Sequence, residues 1–190
     1  MRELDLWEDI YCLTILKLLK ENNPKLHGEL ILKCLVCFCT QVFIGLSVIH
    51  ETEGLGAVFT GGTMLNGVRL MCTFLLHMMI MPEIKNSLQL IRFSIINAEK
   101  FNGKGKYFSV MILQMRLWAC ILTEALNVYK MSQTSAIEDI VKDFIAFGII
   151  SEIDEVIAHS FLQLDVAEEL RVNNISYPKQ MSWLSTHYIF

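Results

Sequence analysis

Only three prolines occur in 190 residues, and that scarcity argues against a fold of many short strands, which needs frequent turn punctuation. Charge is thin as well. Asp, Glu, Lys and Arg make up 19% of the chain, with a formal net charge of −4. There is no long basic run of the kind that neutralises phosphates in nucleic-acid binders, so no nucleic-acid partner is expected. The first twenty residues include Arg2, Glu3, Asp5, Glu8, Asp9, Lys17 and Lys20. They lack the short basic start and uninterrupted apolar core of a cleavable leader, so insertion into a membrane would fall to internal segments.

Chemistry-bearing constellations are equally sparse. Five of the six cysteines lie in apolar stretches, where a free thiol behaves as a small hydrophobe, and no disulfide framework is expected. Cys34 and Cys37 form a Cys-x-x-Cys pair, but no second pair or histidine completes a zinc site. Gly61-Gly62 lacks the Lys-Ser/Thr step of a phosphate loop. Met71, Met78, Met79 and Met81 read as packing or lipid-facing residues, not copper ligands. His50, His77, His159 and His187 are scattered, and no Ser or Cys has an activating context. No enzymatic activity, cofactor or metal is expected.

Apolar residues are what the chain has in quantity: 53% of residues are hydrophobic and the mean hydropathy is +0.43. This places the chain in the membrane class, all-α, as a helical bundle of about four spans with two amphipathic interfacial helices. A single domain covers residues 1–190, with an amphipathic helix in 1–23, spans and a connecting helix in 30–161, and a tail in 163–190.

The first span is Leu30–Ile49, twenty residues whose one charge, Lys33, can snorkel to the interface. Met64–Met81 is the second, stopped by Pro82, and Tyr107–Tyr129 the third. A fourth, from about Ile140 to Phe161, crosses only if it carries carboxylates within the apolar layer. Helical spacing of Leu4, Trp7, Tyr11, Ile15, Leu18 and Leu19 predicts an N-terminal helix on the membrane surface or against a neighbour, ended by Asn22-Asn23-Pro24. Ile84, Leu88, Ile91, Ile95 and Ile96 predict a second interfacial helix within Glu83–Lys100. The glycine-rich stretch Glu51–Thr63 reads as a loop without Lys or Arg, whereas Pro82–Lys106 contains Lys85, Arg92, Lys100, Lys104 and Lys106. That asymmetry puts both termini on the cytoplasmic or equivalent side. The C-terminal segment Gln163–Phe190 reads as a short helix and then a packed tail.

Two stretches resemble a group of functionally uncharacterised polytopic membrane proteins of ciliates and other protists. They are Leu122-Thr123-Glu124-Ala125-Leu126-Asn127 and Asp139-Ile140-Val141-Lys142-Asp143-Phe144-Ile145-Ala146-Phe147-Gly148-Ile149-Ile150-Ser151-Glu152-Ile153-Asp154-Glu155. The group has a membrane helix ending in a Thr-Glu-Ala-like step, then a helix with an Ala-rich apolar run and a terminal Ile-Asp pair. Asp143 departs from the pattern, which more often has Asn there. The resemblance covers about a third of the chain. It implies a channel- or receptor-like membrane layout with no established activity.

Ionisable groups inside spans cost about 2.5–3.5 kcal/mol each and face a partner or a water-filled cavity. The residues expected to pair within the membrane or to line an ion path are Arg69, Arg116, Glu124, Asn127, Asp143, Glu152, Asp154 and Glu155. Spacing puts Arg116 and Glu124 roughly on one face, with Asn127 a turn beyond. Arg116 could then pair with a fourth-span carboxylate, or Glu124 with Arg69. Asp143 and Asp154 share a face with Phe147 and Ile150, and Glu152 and Glu155 flank it. This acid group reads first as a solvated helix end, then as a site for basic residues or a cation. The expected role is that of a non-catalytic multi-pass membrane protein, an accessory subunit in contact with lipid and with other subunits or its own copies. An oligomeric ion channel or ion-coupled transporter is the alternative, and a soluble all-helical interaction protein the second.

Overall fold

The computed structural model describes residues 2–4, 9–20, 24–50, 62–97, 99, 101, 105–161 and 175–177. Six helices follow in order: α1 (Ile10–Lys20), α2 (Pro24–His50), α3 (Thr63–Ile96), α4 (Gly105–Gln133), α5 (Ile137–Ser151) and α6 (Ile153–Phe161). A short ladder accompanies them, pairing β1 (Arg2–Leu4) antiparallel with β2 (Ile175–Tyr177). The all-α expectation holds for the bundle but omitted this ladder. Residues 51–61 of the glycine-rich loop and most of 162–190 lie outside the described residues, as do Lys100 and Lys104 of the basic connection.

Three helices, Gly28–His50, Thr63–Ile96 and Gly105–Gln133, are long and apolar enough to cross a membrane. Pro24 opens α2, where its missing N–H costs nothing and its fixed φ suits the first turn. Pro82 does not stop α3, which continues for 34 residues, so the separate interfacial helix expected after it is the second half of the same helix. An apolar setting in which helix neighbours stabilise the freed backbone tolerates such a proline.

The faces of α3 follow the interfacial reading only in part. Ile84 and Ile91 pack against the core, whereas Leu88, Ile95 and Ile96 point outward and Asn86, Ser87, Leu90, Phe93 and Ser94 are buried. Small polar residues turned inside beside large apolar ones left outside suit helices packed in lipid, which supplies no incentive to bury Leu, while small side chains let backbones approach. Ser94 and Ser109 share a hydrogen bond of 2.8 Å between α3 and α4. At the other end of the pair, Cys72 packs with Met131, so the two helices are antiparallel.

Of the two placements open to the N-terminal helix, the interfacial one is corrected and the packed one is found: Ile10, Tyr11, Cys12, Leu13, Thr14, Ile15, Leu16 and Leu18 are all at most 3% exposed. Helix α1 packs among α2, α4 and α6. Asp9 starts it by accepting a hydrogen bond from the Cys12 backbone N–H at 2.7 Å, a side-chain cap on the third helical position.

The segment expected to be a fourth continuous span is two helices, broken at Glu152. Helix α5 begins beside Met131 and Cys72, and α6 places Ala158 with Ile112 and Leu113. Together they retrace nineteen residues of α4, about 28 Å at 1.5 Å per residue. At the break Glu152 N–H donates to Ile149 O, and its carbonyl receives Val156 N–H at 3.1 Å. Gln41 Nε2 of α2 donates to the Ile150 carbonyl at 3.4 Å, which satisfies a backbone acceptor where the helix is interrupted.

Close approach of α2 to α4 depends on Gly45, whose added Cβ would lie 2.9 Å from Leu126 Cδ1. Gly45→Val is expected to cost about 1–3 kcal/mol by overpacking, read as a lower unfolding temperature in detergent. Adding Leu126→Ala should restore part of the loss; additive destabilisation would contradict this contact.

A buried charge cluster as the candidate functional site

Arg116 of α4 is 1% exposed. Its Nη2 lies 2.8 Å from Asp9 Oδ2, its Nε 4.0 Å from Asp154 Oδ2, and its Nη1 donates to Cys12 Sγ at 3.5 Å. Asp9 and Asp154 are 0% and 3% exposed. Asp9 therefore has two tasks, capping α1 with one oxygen and neutralising Arg116 with the other. One turn along α4, Cys120 Sγ donates to Glu83 Oε2 at 3.4 Å. Arg116, Asp154, Glu83 and Cys120, with Tyr11, Gln41, Thr123 and Ser151, line a cavity of about 10 Å³, at the threshold for one water molecule.

A single guanidinium thus faces three carboxyl groups, from residues before α1, on α3 and on α6. The Tyr11 hydroxyl donates a hydrogen bond to Gln41 Oε1 at 3.2 Å.

The other expected residues fall into separate groups. Glu124 does not join Arg116; its Oε1 is 2.5 Å from His77 Nδ1 on α3. Eight residues of helix turn through roughly 800°, about 80° past two full turns and so off the same face, whereas eleven residues bring Asn127 within about 20° of Arg116. Asn127 is accordingly buried, with no hydrogen bond to its side-chain amide among the described residues. Arg69 donates to the Thr134 carbonyl at 3.2 and 2.5 Å and to Asn66 Oδ1 at 2.9 Å, so it does not pair with Glu124. Thr134 Oγ1 in turn donates to Asp143 Oδ2 at 3.0 Å.

Asp143 and Asp154 do not share a face, because the break at Glu152 resets the helical phase between them. Glu152 is exposed at the break and Glu155 half-buried. Two members of the cluster, Asp9 and Glu83, escaped the sequence reading. The signal for Asp9 was its position just before an apolar helical run; nothing local singled out Glu83, which spacing put at an interface.

No family model, curated protein or solved structure matches this chain.

Two substitutions separate the roles of the carboxyls. Asp9→Asn leaves Arg116 without its close ionic partner and is expected to cost about 3–5 kcal/mol. Asp154, with its Oδ2 4.0 Å from Arg116 Nε, is the more distant carboxyl, so Asp154→Asn is expected to cost less than Asp9→Asn. Thermal unfolding in detergent tests both; an Asp154→Asn loss as large as that of Asp9→Asn would contradict the assignment.

Proposed function

We propose that this chain is a non-catalytic, multi-pass membrane subunit that packs within a larger assembly. The observation that carries this reading is a stripe of exposed apolar residues on α5: Ile137, Val141, Ile145 and Ile149. They recur every four residues along one face. Helix α5 has fifteen residues, about 22 Å of rise, too short to cross a hydrocarbon layer of about 30 Å without α6. Its outer stripe suits an apolar neighbour, and this reading assigns a partner helix to it. Exposed Met71, Met78 and Met79 on α3 add flexible thioethers of the type that adapts to partner surfaces. In this reading α5 and α6 make the return crossing, which leaves residues 2–4 and 175–177 paired on one side of the membrane.

The soluble-bundle reading is disfavoured by Phe43, Met64 and Leu70, which are 72%, 80% and 71% exposed, on helices that turn Gln41, Arg69, Asn86 and Ser87 inward. An ion-coupled role is the second reading, favoured by the surplus of carboxyl groups over Arg116 around a water-sized cavity. Proton uptake into liposomes that is abolished by Asp154→Asn would support it.

Carbonate treatment of membranes should leave the chain in the pellet, and native mass measurement in mild detergent should find unlike subunits attached. Val141→Ser with Ile145→Ser should release those subunits while the unfolding temperature of the isolated chain stays within a few degrees. A bare monomer in mild detergent would contradict the assembly; release by carbonate would contradict the membrane assignment.

A further inference from the structure

A groove of about 520 Å³ runs along the outside of α4, within the size range of small-molecule sites. Its floor is one helical face: Tyr107, Val110, Met111, Gln114, Met115 and Trp118 line it at steps of three, one, three, one and three residues. Phe38 of α2 and Ile95 near the end of α3 form its sides, and Lys106 stands at its end. From Lys106 to Trp118 the groove extends about 18 Å along the helix axis. One leaflet of hydrocarbon is about half of 30 Å deep.

We propose that this groove binds one acyl chain of an anionic membrane phospholipid, with the phosphate held at Lys106. The inference rests on the membrane reading given above. Three features choose this occupant over a second protein helix or an uncharged lipid. The groove is almost wholly apolar along its length, with Gln114 as the one amide. Its positive charge sits at one end only, where Lys106 Nζ lies 5.8 Å from the Tyr107 ring centroid, so the ammonium is held over an aromatic face. That end is also the amino terminus of α4, whose first backbone N–H groups and dipole favour an anion. A headgroup phosphate at the membrane surface and a tail descending one leaflet match both the charge and the direction of the groove.

Trp118, 56% exposed and lining the deep end, supplies the readout. With Trp7→Phe and Trp183→Phe it is the sole tryptophan of the full chain. Titration of the detergent-solubilised protein with brominated phosphatidylglycerol and with brominated phosphatidylcholine of the same acyl chains should quench Trp118 in both cases. The midpoint is expected at about fivefold lower mole fraction for the anionic lipid, the effect of one lysine near a lipid phosphate. Lys106→Gln should close that gap, and Val110→Phe, which fills the groove, should weaken quenching by both lipids. Equal midpoints in the parent, or midpoints insensitive to both substitutions, mean ordinary boundary lipid and overturn the proposal. Carbonate extraction distinguishes the two failures: a pelleted chain with equal midpoints loses only the groove, whereas a released chain loses the membrane reading as well.

Discussion

The contact between Arg116 and Asp9, 2.8 Å apart and shielded from solvent, constrains most of the bundle. A guanidinium in an apolar interior is tolerable only with a close opposite charge and satisfied donors. Asp9 meets that demand from the residue just before α1, which draws the short helix into the centre of the molecule. Asp154 meets part of it from α6, and so requires the chain to return along α4 after α5. The helix break at Glu152 sets the phase in which Asp154 can face Arg116. Gln41, bonded to both Tyr11 and the Ile150 carbonyl, ties α2 to the same place.

Around that polar centre the long helices turn Arg69, Asn86, Ser87, Ser94, Ser109, Arg116 and Asn127 inward among buried Leu and Ile, while other Phe, Leu, Met and Ile side chains cover their outer faces. Such an arrangement suits a surrounding medium that is itself apolar, where packing and interhelical hydrogen bonds hold helices together. The Lys130 ammonium follows the same rule by donating to the Val48 carbonyl at 3.1 Å, at the end of α2. The β1–β2 ladder then joins the two ends of the chain beyond the helices.

Much of the helical organisation was legible from hydropathy and helix stops. The three long apolar helices correspond to Leu30–Ile49, Met64–Met81 and Tyr107–Tyr129, because runs of that length have few alternatives. Helix α1 was legible as a helix but not in its position, since an eleven-residue amphipathic pattern reads the same against a membrane surface as against other helices. Pro82 misled because its rule is calibrated on water, where the freed carbonyl and the ring clash more often end a helix. At the site, Arg116 could be expected to pair with some carboxylate of the fourth segment from the cost of such charges in the membrane, though not with Asp154 in particular. Glu124 was misassigned to the Arg116 face because eight residues were taken as two turns. Asp9 and Glu83 come from distant parts of the chain, and their convergence depends on tertiary packing that no local spacing encodes.

The most direct measurement is a double-mutant cycle between Arg116→Met and Asp9→Leu, read by unfolding in detergent. Each single replacement leaves one buried charge uncompensated, so each should cost about 3–5 kcal/mol, and the double variant should cost much less than their sum. A strongly favourable coupling of that kind would place the Arg116–Asp9 pair at the centre of the fold. Additive losses, with no coupling between the two positions, would contradict it.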